Sequence, residues 1–252
     1  MYWLLALPAL AAVLLIVLAA PMPDPAMFRS LADGRSAFGI ANFWNVVSNV
    51  PFLLVGACGV AFLIRQRPDA FIERAEKWPY AFCFVSVALV FLGSIYYHLA
   101  PDDQRLMWDR LPISLCFMAL LSALVAERLS VKAGLYALAP LLLAGAASVL
   151  YWRWSLLRGA ENVLPYALVQ YGAIAAIVVI AARFPARYTR GADFFIAVAI
   201  YAAAKLTEVL DAQIYAIGGV LSGHTLKHLL AALAVWWVLR MLQLREPLSR
   251  PS

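Results

Sequence analysis

The chain has 252 residues, of which 65% are hydrophobic and 13% are charged. This composition excludes a soluble globular domain, in which only about half of the residues are apolar. The formal net charge of +6 does not indicate a nucleic-acid partner, because the basic residues are scattered through loops and do not cluster with aromatic residues. We therefore predict an all-α, polytopic membrane protein.

Eight apolar blocks follow one another, each about as long as the ~20 residues that a helix needs to cross a bilayer. They cover residues 2–20, 40–64, 79–99, 110–127, 134–151, 164–182, 193–210 and 222–242. The connections are short, and a helix satisfies its own backbone hydrogen bonds in lipid. We expect a seven-helix transmembrane bundle within residues 33–242, an extra N-terminal hydrophobic segment in residues 1–21, and a cytoplasmic tail in residues 243–252.

The first block, YWLLALPALAAVLLIVLA, allows two interpretations. Small residues follow it in LAAPMP, as they follow the apolar core of a secretory signal peptide. However, no basic region precedes it and its apolar core is long for a signal peptide, so we favour a retained transmembrane helix. Residue 21 lies on the outer side in either case.

The loop arginines and lysines are distributed unequally between the two sides of the bundle. Twelve lie on one side and six on the other, while Lys205 and Lys227 lie within helices. Cytoplasmic loops are enriched in basic residues, so the side with twelve, which carries the C-terminus, is predicted to be cytoplasmic. Residues 93–110, GSIYYHLAPDDQRLMWDR, then lie near the outer face of what we expect to be a bacterial inner membrane.

The second block carries Asn42, Asn45 and Asn49 at spacings i, i+3 and i+7. These asparagines are predicted to lie on one helical face towards the bundle interior, and Pro51 is predicted to kink the helix. Interhelical hydrogen bonding is the interpretation we favour for this stripe. The alternative is that it lines a site or binds a second metal ion.

The third block ends with Ser94 and His98, one turn apart on the same helical face, and Asp109 begins the next helix on the same side of the membrane. An acidic residue at an apolar rim is costly and is by default a functional candidate. The structural alternatives are an ion pair of Asp109 with Arg110 or a favourable acid at a helix N-terminus. Ser94 could equally be a small residue that lets helices pack closely.

Two more acids, Glu208 and Asp211, lie at the end of the seventh block on the same outer side. Lys205, three residues before Glu208, is the expected ion-pair partner of Glu208. The alternative is that these acids orient a histidine that binds a metal ion.

The last block begins with His224 and His228, four residues apart on one helical face, in SGHTLKHLLAAL. Together with His98 they are all the histidines of the chain, and counting the crossings places all three at one depth. Three neutral imidazoles with an open fourth position are typical of a catalytic zinc site. The alternatives are histidines that only hydrogen-bond helix ends, and a haem site that leaves Asp109 and Ser94 without a role.

HTLKH lacks the glutamate that acts as the general base in the HExxH motif of soluble zinc proteases. The base must therefore come from another segment, and Asp109 is the best candidate. Ser94 is predicted to act electrostatically, because every histidine is committed as a ligand and none remains to activate a serine nucleophile.

The ordered set Ser94-x3-His98, then Asp109 in DRLPI, then His224-x3-His228 resembles the alkaline ceramidase family. That family belongs to a superfamily of seven-helix membrane hydrolases that also includes the progestin and adiponectin receptors. The resemblance covers about residues 33 to 242, and NFWNVVSN is similar to the family's first-helix motif. Residues 2–20 lie outside it.

The resemblance implies zinc bound by His98, His224 and His228, with Asp109 activating a metal-bound water and Ser94 supporting the tetrahedral intermediate. The implied reaction is hydrolysis of the amide of a ceramide-like membrane lipid to a sphingoid base and a fatty acid. Eukaryotic members also bind calcium through acids and a Trp-Cys-Glu stretch before the first helix. This chain has LADGRSAFGIANFWN there, which leaves Asp33 and Asn42 as the calcium candidates.

Two other functions are compatible with a polytopic chain of this kind. A zinc-containing lipid or hormone sensor is the main alternative, but a structural zinc prefers four protein ligands and needs no base. A transporter predicts discontinuous helices with charges at the membrane centre, and the helix centres here hold almost none. A zinc-dependent hydrolase is therefore the predicted function.

Overall fold

The computed structural model describes residues 20–26, 29–65 and 70–248, and the regular secondary structure in this part of the chain is helical. The helices are α1 (Phe43–Val47), α2 (Val50–Arg65), α3 (Lys77–Leu99), α4 (Asp103–Arg128), α5 (Val131–Leu157), α6 (Leu164–Arg183), α7 (Asp193–Val209), α8 (Asp211–Gly218) and α9 (Gly223–Leu244). The predicted all-α, polytopic membrane fold is confirmed. Residues 2–19 of the N-terminal apolar block lie outside the described residues.

Six helical spans in the described part are long and apolar enough to cross a membrane, with α1 and α2 counted together as Phe43–Arg65. The other apolar block that was predicted to cross, 193–210, forms α7, which has 17 residues and packs against α9. Successive long helices run in opposite directions. The end of α3, the start of α4, the end of α7 and the start of α9 therefore meet at one end of the bundle.

The first bundle helix is broken, where a continuous helix kinked at Pro51 was predicted. The chain turns at Ser48 and Asn49 between α1 and α2, because Pro51 has no N–H to donate to the Val47 carbonyl. The helix also begins later than expected. Asn42 precedes α1 in the left-handed conformation, with φ 48°, so it is not part of the helical stripe.

The fourth helix begins earlier than its apolar block, which was predicted to start at residue 110. Asp102 caps α4 by accepting a hydrogen bond from the Arg105 backbone N–H at 2.7 Å. The polar segment before residue 110 is therefore helical. As a result, Asp109 lies in the second turn of α4 and faces the bundle, while Asp103 occupies the first turn.

A buried arginine stabilises the opposite end of the bundle, where α4 and α9 end. Arg245 is 2% exposed, donates to Glu127 at 2.5 Å, and lies 3.8 Å from the ring centroid of Tyr188. The backbone beyond α9 packs on the same loop, because the Leu248 N–H donates to the Arg187 carbonyl at 2.9 Å. The first residues of the predicted tail are thus held against the bundle.

We predict that Arg245→Met lowers the free energy of unfolding by about 3 kcal/mol, because the buried Glu127 loses its hydrogen-bonded cation and keeps only Arg128, 3.4 Å away. Arg240→Met is the matched control, since Arg240 is exposed on the same helix. Denaturant or thermal unfolding of the detergent-solubilised protein measures both. Equal stability of the two variants would contradict this role for Arg245.

Candidate metal centre and active site

The three histidines meet at the end of the bundle where α3 ends and α9 begins. His98 lies in the last turn of α3, and His224 and His228 lie in the first two turns of α9. All three are at most 3% exposed, and each offers a ring nitrogen within 4.8 Å of those of the other two. The closest pair is the Nε2 atoms of His98 and His224, at 3.3 Å.

The ring nitrogens fit a bound metal ion. Ser48 Oγ shares a hydrogen bond with His228 Nδ1 at 2.8 Å, which fixes the ring and leaves Nε2 available as a ligand atom. His98 Nδ1 is buried and has no hydrogen-bond partner among the described residues. Three imidazoles held together in a buried site, with a carboxylate nearby, are a donor set that suits zinc.

The break between α1 and α2 positions His228. It exposes Ser48 and Asn49 to α9, and the Asn49 side-chain nitrogen lies 3.4 Å from His228 Nδ1. One turn away, Thr225 Oγ1 donates to Asn45 Oδ1 at 3.2 Å. The asparagines predicted to make interhelical hydrogen bonds thus contact α9, and the side chain of Asn42 instead donates to the His98 carbonyl at 2.8 Å.

The start of α9 is fixed by Asp211, one of the two acids for which orienting a histidine was the alternative interpretation. Its Oδ1 accepts a hydrogen bond from the His224 backbone N–H at 2.6 Å, and its Oδ2 accepts from the Ala32 N–H at 2.9 Å. Gly223 allows this close approach, because a Cβ there would lie 2.0 Å from the Thr207 carbonyl oxygen. Asp211 therefore acts on the His224 backbone and not on its ring.

Asp109 and Ser94 are brought together by close packing of α3 and α4. A Cβ on Gly93 would lie 2.1 Å from the Trp108 carbonyl oxygen, so only glycine allows the helices to approach this closely. Ser94 and Asp109 are both buried, and both line the same cavity.

The histidine pair of α9 shares one cavity with these two residues. The cavity has a volume of about 270 Å³, and Ser94, Asp109, His224 and His228 all line it. Most of its other lining residues are apolar. Polar groups with acid–base and metal-binding chemistry are therefore concentrated at one end of an otherwise apolar cavity.

Arg110 does not form the ion pair with Asp109 that was considered as a structural alternative. Its guanidinium pairs instead with Asp24 and stacks on Trp152, with the carbon 4.3 Å from the ring centroid. Asp24 comes from the segment before the first bundle helix, which also lines the cavity through Met22. The Asp109 carboxylate thus remains directed towards the cavity.

The calcium candidates Asp33 and Asn42 make other contacts in this arrangement. Both oxygens of Asp33 accept hydrogen bonds from Arg35, at 2.8 Å from Nε and 2.7 Å from Nη2. These bonds hold the pKa of the Asp33 carboxyl below its ordinary value. Arg35 already supplies the cation for Asp33, and Asn42 uses its side-chain nitrogen on His98.

Lys227 is a further residue of the site, and it was not predicted from the sequence. Its Nζ lies 3.0 Å from His224 Nε2 and 3.0 Å from Glu208 Oε1, and Glu208 also pairs with Lys205 as predicted. The available signal was the presence of two lysines inside apolar helices. Their proximity to the histidines depended on how α7 packs against α9.

Comparison with protein families gives a match over most of the chain. Residues 36–248 match the family model described as Ceramidase, which agrees with the resemblance noted from the five polar residues. No curated protein matches the chain.

We predict that Gly93→Ala destabilises the protein by about 1–3 kcal/mol, because the added methyl group forces α3 away from α4. Gly172→Ala is the matched control, since nothing lies within 4 Å of a Cβ at that helical position. Melting temperatures in detergent measure the difference. Gly93→Ala melting at or above the temperature of Gly172→Ala would show that the contact is not tight.

Proposed function

This chain belongs to the ceramidase family, and we propose that it is a zinc-dependent integral membrane hydrolase that cleaves ceramide-like lipids to a sphingoid base and a fatty acid. The main support for the proposal is that three buried imidazoles lie together with Asp109 and Ser94 at one end of an apolar cavity. A base and a hydroxyl beside the three histidines favour hydrolysis over a lipid sensor, because a sensor requires neither.

His98, His224 and His228 would hold the zinc ion. A zinc ion bound by three histidines supplies a Lewis acid that lowers the pKa of water towards about 7 and polarises a carbonyl group. Ser48 fixes the ring of His228, and Asp211 fixes the backbone of His224. These contacts keep the ligand atoms in place before the metal ion binds, which reduces the entropy lost on binding.

Asp109 accepts the proton that water loses as it attacks the amide carbon, and then delivers that proton to the leaving amine nitrogen. Such general acid–base catalysis contributes about 10²–10⁴-fold. The pairing of Arg110 with Asp24 supports this role, since it leaves the Asp109 carboxylate without an arginine partner. Ser94 lines the same cavity as Asp109 and donates a hydrogen bond to the oxygen that gains charge.

The shape of the cavity supports a lipid substrate. Its lining residues on α9 extend from His224 to Val238, which corresponds to about 20 Å of helix at 1.5 Å per residue. Phe52, Val87 and Ile177 are among the apolar residues along its length. An acyl chain can lie along these residues while the amide reaches the polar end.

We further propose that residues 33–242 are the catalytic domain, that the C-terminus is cytoplasmic, and that the site opens near the outer face of a bacterial inner membrane. The excess of loop arginines and lysines on the C-terminal side supports this orientation. Residues 1–21 are expected to add a transmembrane helix to the bundle.

We predict that the purified protein binds about one zinc ion per chain and that His224→Ala loses it, because two imidazoles hold zinc more weakly than three. Elemental analysis after dialysis against a weak chelator measures the metal content. Zinc retained at parental levels by His224→Ala would rule out these ligands.

We predict that Asp109→Asn keeps its zinc and releases fatty acid from a fluorescent ceramide at least about 100-fold more slowly, because the amide cannot accept a proton. Asp102→Asn is the control, since asparagine also caps a helix and Asp102 lies on the exposed start of α4. If both variants hydrolyse ceramide as fast as the parent protein, Asp109 is not the base.

A further inference from the structure

Two lysines and one glutamate lie inside the membrane bundle, beside the histidines. Lys205 and Glu208 belong to α7 and Lys227 belongs to α9, and all three line the cavity. Their side chains are 21%, 8% and 16% exposed, respectively. Charged groups at this position are costly, and in membrane proteins they are usually functional.

Lys227 is directed at the reacting end of the cavity. Its Nζ is 3.0 Å from the Nε2 atom of His224, one of the nitrogens placed to bind zinc. On its other side, Nζ donates to Glu208 Oε1 at 3.0 Å. The ammonium therefore lies within hydrogen-bonding reach of a group bound next to His224.

The cluster contains a second lysine that the Lys205–Glu208 pair does not need. Lys205 and Glu208 pair with each other one helical turn apart, and this pair alone would neutralise Glu208. Lys227 adds a second ammonium, which contacts both Glu208 and His224. A purely structural ion pair does not explain the contact of Lys227 with His224.

We propose that Lys227 is a further catalytic residue, whose ammonium donates a hydrogen bond to the carbonyl oxygen of the scissile amide as that oxygen becomes negative. This inference rests on the hydrolase function proposed above. Glu208 and Lys205 are positioning residues: Glu208 holds the Lys227 ammonium, and Lys205 fixes Glu208 from the other side.

With Lys227 as a hydrogen-bond donor, every bond, proton and electron pair of the hydrolysis is accounted for. The oxygen of water bonds to the carbonyl carbon, its proton passes to Asp109, and the electron pair of the C=O double bond moves to the oxygen facing Lys227. That pair then re-forms the double bond, the C–N bond breaks, and the proton on Asp109 passes to the amine nitrogen. Lys227 keeps its protons throughout and acts by charge and hydrogen bonding, as oxyanion-hole donors do.

The test compares Lys227→Met and Lys227→Arg with Lys132→Met, which removes an exposed lysine at the other end of the bundle. Hydrolysis of a fluorescent ceramide in detergent gives kcat and KM, and elemental analysis gives the zinc content. For Lys227→Met we expect kcat to fall about 10²–10³-fold with KM within twofold of the parent value. We expect zinc content to be unchanged, and Lys227→Arg to recover part of kcat.

Two results would overturn the inference. One is a kcat of Lys227→Met within threefold of the parent value. The other is loss of zinc in Lys227→Met together with no recovery in Lys227→Arg, which would mean that Lys227 only supports His224. A parent protein that binds zinc but cleaves no ceramide would instead reject the proposed function.

Lys205→Met provides a second test if Lys227→Met does not fold. Without Lys205, Glu208 is held from one side only and places the Lys227 ammonium less precisely, so we expect kcat to fall about tenfold with KM and zinc content unchanged. The Lys227–Glu208 contact itself remains in this variant, so folding is retained. A kcat equal to or above that of the parent protein would contradict the positioning role of Lys205.

Discussion

Polar groups buried in a membrane-spanning bundle must satisfy one another, because hydrocarbon offers them no hydrogen bonds. The candidate site follows from this requirement. The broken first helix frees the side chains of Ser48 and Asn49, and these bind the ring of His228. Asn45 and Asp211 bind other parts of the start of α9, so two separate segments, residues 45–49 and Asp211, hold the histidine pair.

The two ends of the bundle differ in what their buried polar groups contact. At the end where α9 stops, the Arg245 cation contacts the Glu127 carboxylate and the ring of Tyr188. At the other end, the three histidines lie together, and the pair on α9 lines an apolar cavity. The first arrangement provides stability, and the second is what a centre that binds ions and reacts with lipids requires.

The features that could be predicted from the sequence depend on short-range periodicity. Apolar blocks of membrane-crossing length predicted the helices, and the i, i+4 spacing with the count of crossings predicted that the histidines would meet. The features that could not be predicted depend on contacts between distant segments. The pairing of Arg110 with Asp24 joins residues 86 positions apart, and the contact of Lys227 with Glu208 joins two helices. The break at Ser48 was expected only as a kink, because proline restricts the backbone without determining how the chain bends.

The segment that contains Asp24 takes part in the cavity, so the functional part of the protein begins before residue 33. Met22 and Asp24 line the cavity, the Met22 carbonyl accepts a hydrogen bond from the Val163 N–H at 2.8 Å, and Asp24 occupies the Arg110 guanidinium. A shortened chain starting at residue 33 would retain every histidine and the six membrane-length spans of the described residues. It would nevertheless lack part of the cavity wall. It would also release Arg110 from Asp24, so that Arg110 could pair with the Asp109 carboxylate and prevent it from acting as a base.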